Sequence, residues 1–101
     1  MPEQFYKGMS LDLLNSVLRD IGKERIRQVQ LWGNQEENDW GQWLVILAEE
    51  FGEAAQALQP LMGITTNKPT DASNPYEEFI HVAAVSTKIA ELLKGMENEE
   101  H

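Results

Sequence analysis

The chain has no cysteine, which excludes a disulfide frame and any thiolate metal site. It is also short of positive charge: eight Lys and Arg stand against seventeen Asp and Glu, for a net charge of −9. Duplex nucleic acid requires a basic face for its phosphates, so this balance argues against it as a partner. Between Arg27 and Lys68 there is no Lys or Arg at all. No run approaches the ~18 apolar residues of a membrane span, and no basic-then-apolar segment opens the chain as a secretory signal would. No period-2 alternation marks a strand. Together these absences predict a cytoplasmic, soluble, all-α protein with no membrane contact.

The 101 residues suit one domain, 1–101, and 42% of them are apolar, an ordinary share. A chain this short buries only about 60–70% of its unfolded surface. The expected architecture is therefore a helix bundle of three main helices plus short segments, with a four-helix-type core completed by dimerisation.

Three helices are predicted. The first begins after Ser10, an N-cap residue, and sets Leu11, Leu14, Leu18 and Ile21 on one stripe, continuing through Arg25 and Val29 to about Trp32-Gly33. The second runs from about Trp40 to Gln59 and stops at Pro60. Its seam is Trp40, Leu44, Leu47, Phe51, Ala54 and Leu58, a three-and-four spacing typical of bundles. The third opens on Asn74 as N-cap, Pro75 at the first helical position and Glu77 at the capping-box position. It carries Val82, Val85, Ile89 and Leu92, with Gly95 as its expected stop. Residues 63–73 form a long polar connection, and about 1–9 and 96–101 are expected to be flexible termini.

Six acids fall in the cation-free stretch: Glu36, Glu37, Asp39, Glu49, Glu50 and Glu53. At 100° per residue, Glu50 lies about 80° from the seam of the second helix and Glu53 about 140° from it, whereas Glu49 is nearly opposite. Glu50 and Glu53 share a flank with Trp43, Ile46 and Ala57, while Glu49 joins Gln42 and Gln56 on the solvent side. Glu78 stands in the inward stripe of the third helix, with His81 one turn on and Lys88 two turns beyond His81. Glu77 is read as the capping residue and nothing more. Carboxylates drawn toward a core are costly unless their charge is compensated. Two antiparallel helices, each presenting an inward i,i+3 pair, can gather ligands around a divalent cation, and such oxygen-rich cages suit Mg²⁺ or Mn²⁺.

These residues resemble a known family. Glu49-Glu50-x-x-Glu53, a gap of twenty-four residues, then Glu78-x-x-His81 and Val-Ala-Ala-Val look like the E-E-x-x-E and E-x-x-D pattern of the all-α nucleoside triphosphate pyrophosphohydrolases of MazG type. The run Glu24-Arg-Ile-Arg-Gln-Val-Gln-Leu-Trp-Gly33 is similar to the first helix of small, phage-type MazG-like proteins, so the likeness covers roughly residues 20 to 93. It implies a bundle assembled as a homodimer or homotetramer that splits a (deoxy)nucleoside triphosphate into monophosphate and pyrophosphate. By motif, Glu50, Glu53 and Glu78 would be metal ligands, and Glu49 would orient or deprotonate the attacking water. The family's last Asp is His81 here. As a ligand, His81 would favour Mn²⁺ over the harder Mg²⁺, and the departure raises the prospect of a weakened or inactive relative.

Trp32 and Trp43 are candidates to stack on a nucleobase, although tryptophans at helical spacing more often pack in a core. Lys23, Arg25, Arg27 and Lys88 are the candidate phosphate-binding cations. Two other readings stand beside hydrolysis: a catalytically inactive homo-oligomer that binds nucleotide or protein, and an acidic helical dimer without a metal.

Overall fold

The computed structural model describes residues 8–33, 35, 37–64 and 74–99. Residues 1–7, most of the expected 63–73 connection and the last two residues lie outside that set. Among the described residues there are three α-helices, one short 3-10 turn and no strand.

Helix α1 spans Leu11–Trp32, with Ser10 extended and its hydroxyl accepting the Leu13 N–H at 3.2 Å. It ends at Gly33, whose φ of 72° takes the chain out of the helix. Helix α2 spans Trp40–Leu58 and starts on a complete capping box. Asp39 accepts the Gln42 N–H at 2.8 Å, and the Gln42 side chain accepts the Asp39 N–H at 2.7 Å. At Gln59–Met62 the helix tightens into a 3-10 turn containing Pro60, which has no N–H to continue the α ladder. Helix α3 spans Pro75–Glu99, and Asn74 caps it by accepting the Glu77 N–H at 2.9 Å.

The third helix does not stop at Gly95 but runs on to Glu99. One internal glycine costs only about 1 kcal/mol relative to alanine. Beyond Gly95, Met96 lines an open cavity with Leu92, Trp40 and Trp43.

Helix α3 is central and packs on both α2 and α1. Trp43 faces Leu92 and Met96, and Glu50 faces His81, so α2 runs antiparallel to α3. Asp20 meets Tyr76 and Arg25 meets Glu91, so α1 runs parallel to α3. The buried apolar residues are Trp43, Ala54 and Ala57 of α2 and Ile80, Ala84 and Val85 of α3, with Ile80 also lining a cavity against α1.

Of the apolar seams predicted for the first two helices, only Ala54 enters this core. Trp40, Leu44 and Phe51 of α2 are exposed, as are Leu11, Leu14 and Leu18 of α1. Helix α3 instead covers the margin of the α2 seam at Ala54 and the neighbouring flank that carries Trp43 and Ala57. Small residues there let the backbones approach, and Glu50 is carried inward with them.

Candidate metal centre

Two helices bring the centre together. On α3, Glu78 lies one turn inside the Asn74 cap, where its N–H bonds to the Asn74 carbonyl at 3.1 Å. Its residue is only 2% exposed. His81 follows one turn later on the same side. Across the interface, α2 presents Glu50, half-buried on the flank that meets α3.

One ligand atom from each of Glu50, Glu78 and His81 falls within 4.8 Å of the other two. His81 Nδ1 is 3.7 Å from Glu50 Oε2 and 3.7 Å from Glu78 Oε2. Glu50 Oε2 is buried and accepts no hydrogen bond among the described residues. Burial pushes the Glu50 carboxyl up from its ordinary value, and the charge of Glu53 pushes it the same way. His81 opposes the rise, while Glu78 and Glu24 add to it. A buried anionic oxygen with surplus negative charge around it is the environment that a divalent cation relieves. The donor set of two carboxylates and one imidazole fits such an ion, with imidazole favouring Mn²⁺ and later metals over Mg²⁺.

The other expected residues are distributed around this group. Glu53 is half-buried beside Glu50, close enough to raise its proton affinity, yet outside the three-residue cluster. Glu49 is exposed, on the solvent side as its helix angle predicts. A cavity of about 350 Å³ opens between α1 and α3 against His81, lined also by Lys23, Arg27 and Glu77. A second, of about 200 Å³, is lined by Trp32 and Trp43 with Gln28, Gln35 and Glu50. Trp43 is a core residue with one side on this cavity, whereas Trp32 is largely exposed and has the Arg27 guanidinium 5.6 Å from its ring centre. Arg27 is engaged by Glu24, and Arg25 pairs with Glu91 at 2.8 Å. Lys88 lines neither of these two cavities.

The sequence reading assigned no role to Glu24. It is the buried residue of α1, 9% exposed, and its Oε2 lies 3.9 Å from His81 Nε2. Arg27 grips both of its oxygens, through Nε at 2.7 Å and Nη2 at 2.8 Å, and Gln28 adds a bond at 3.2 Å. Burial by itself would raise the Glu24 carboxyl, but hydrogen bonding and charge from Arg27, with the charge of His81, outweigh it and lower the pKa. The available signal was the Glu24, Arg27, Gln28 spacing, which places an acid and two donors on one helix face. Comparison with protein-family models, with curated proteins and with solved structures finds no match for this chain.

Proposed function

We propose that this chain is a divalent-metal-dependent nucleoside triphosphate pyrophosphohydrolase that releases pyrophosphate and a (deoxy)nucleoside monophosphate. The observation that carries the reading is the convergence of Glu50, Glu78 and His81 from two helices to within 4.8 Å. Those residues would hold the ion, with Glu53 adding negative charge beside it. A bound cation would supply charge neutralisation at the phosphates and a lowered pKa for a water molecule.

The chain's own groups would do the rest. Lys23 lines the cavity that reaches His81 and would bind phosphate oxygens there. Trp32, exposed over a cavity that touches Glu50, would stack on the base. Glu49 is the water-orienting residue by motif, and from its exposed place on α2 it would act through solvent or a partner subunit. Exposed apolar residues on α1 and α2 support a homodimer or homotetramer.

Pyrophosphate release from a panel of nucleoside triphosphates tests this directly. Turnover is expected to be higher with Mn²⁺ than with Mg²⁺, and to fall at least ~100-fold in Glu50→Gln. No release with any nucleotide under either metal would sink the assignment.

A second reading has its own support. His81 lies within 4 Å of carboxylates on all three helices, so a protonated imidazole can itself compensate the acids. The protein would then be an acidic helical assembly without an ion. Failure of Mn²⁺ to bind in calorimetry, with a normal fold, would favour that reading.

A further inference from the structure

His81 has different neighbours on its two ring nitrogens. Nδ1 faces Glu50 and Glu78, each at 3.7 Å, while Nε2 faces Glu24 at 3.9 Å. The Glu24 carboxylate is almost fully buried and is clamped from its own helix by Arg27 and Gln28. We propose that Glu24 is a positioning residue of the metal centre: it accepts the His81 Nε2–H and so presents the Nδ1 lone pair to the ion held with Glu50 and Glu78. The inference rests on the metal-binding part of the proposed function and not on hydrolysis.

A histidine that ligates through one nitrogen ordinarily donates its other N–H to a carboxylate or carbonyl, which selects the tautomer and fixes the ring. Glu24 is the carboxylate on that side, and it comes from a third helix. At 3.9 Å the contact is longer than a hydrogen bond, so the ring has to move about 1 Å toward Glu24 to make one. Arg27 and Gln28 are what keep Glu24 from moving instead. Arg27 Nη2 and Gln28 both bond Oε2, the oxygen that faces His81, and Arg27 Nε bonds Oε1, so the imidazole takes the place of the longer 3.2 Å Gln28 bond or turns to the remaining direction of Oε1. The arrangement also gives Arg27 a job other than phosphate binding, because its guanidinium is bidentate on Glu24.

Two measurements on the full chain test this without any nucleotide. The chain has two histidines, His81 and His101, so a long-range ¹H–¹⁵N spectrum of the wild type, assigned with His101→Ala, resolves His81. With Zn²⁺ as a diamagnetic probe, His81 is expected to carry its proton on Nε2 while Nδ1 shifts on binding. A proton on Nδ1, or a shift at Nε2 alone, overturns the proposal. Mn²⁺ affinity by calorimetry is then compared in a cycle of Glu24→Gln and His81→Ala. Glu24→Gln is expected to weaken binding about 10–100-fold in the wild-type background but no more than about twofold once His81 is alanine. Equal losses in both backgrounds would mean that Glu24 acts through bulk charge or folding, and no loss would mean that it does not act at all. Metal binding with this coupling but without pyrophosphate release would overturn the assigned reaction and leave the inference standing. A wild type that binds neither Mn²⁺ nor Zn²⁺ overturns both.

Discussion

Glu50 and Glu24 titrate in opposite senses, and stability against pH follows from the pair. The Glu50 pKa is raised in the fold, so between its unfolded and folded values the native state binds more protons. Stability then falls as pH rises through that window, and the loss persists at neutral pH. The Glu24 pKa is lowered, so its contribution is present above the unfolded value and is lost as pH falls through the folded one. Without metal, Glu50→Gln is therefore expected to stabilise at pH 7, read as a higher melting temperature. Glu24→Gln should instead destabilise at pH 7 and flatten the acid limb. Thermal melts in EDTA from pH 3 to 8 check both signs. A lower melting temperature for Glu50→Gln throughout would show that its charge is not a liability in the fold.

The helices owe their limits to short-range chemistry, and their placement to small residues. Asp39 and Asn74 each satisfy an otherwise unpaired N–H in a first turn. Replacing either with alanine should cost about 1 kcal/mol. For Asn74→Ala the loss should extend to the metal centre, because Glu78 belongs to the turn that Asn74 closes. Mn²⁺ calorimetry on Asn74→Ala should show weaker binding than in Asp39→Ala, whose cap lies away from the ligands. Ala54 and Ala84 are fully buried, one on each of the two helices that form the core. Ala84→Leu has nowhere to put its extra carbons and should cost about 1–3 kcal/mol, read as a lower midpoint in urea.

At the scale of the whole molecule, the six buried apolar residues among those described are a small core, and many large ones remain outside it. Leu44 is 66% exposed and Phe51 62%, both on the α2 seam that faces away from α3. A second copy covering that seam is the expected state, and sedimentation velocity should find a dimer or tetramer at micromolar concentration. Leu44→Asp with Phe51→Asp should convert it to a monomer with a lower melting temperature. A wild type that sediments as a monomer would count against assembly through this seam.

Much of this was legible in the residues. The Ser10 and Asn74 caps, the helix type and the stop at Pro60 depend on neighbours a few positions away, so local pattern suffices for them. The inward course of Glu78 and the separation of Glu50 from Glu49 follow from 100° per residue, because a helix carries its own angular ruler. The choice of partner for each face does not follow from that ruler. The seam of α2 is its most apolar stripe, yet α3 packs at its margin, on Ala54 and on the Trp43 and Ala57 flank beside it. The buried residue of α1 is Glu24 rather than a member of the leucine stripe. Periodicity ranks the faces of one helix, but burial is decided by which faces of several helices fit together, with small residues permitting close approach and charges settling among their partners. The sequence alone therefore determined three helices, the caps of the first and third, an acidic balance and the inward acids Glu50 and Glu78. Only the tertiary structure placed His81 between carboxylates of three helices, because that juxtaposition joins it to Glu24 and Glu50, 57 and 31 positions earlier in the chain.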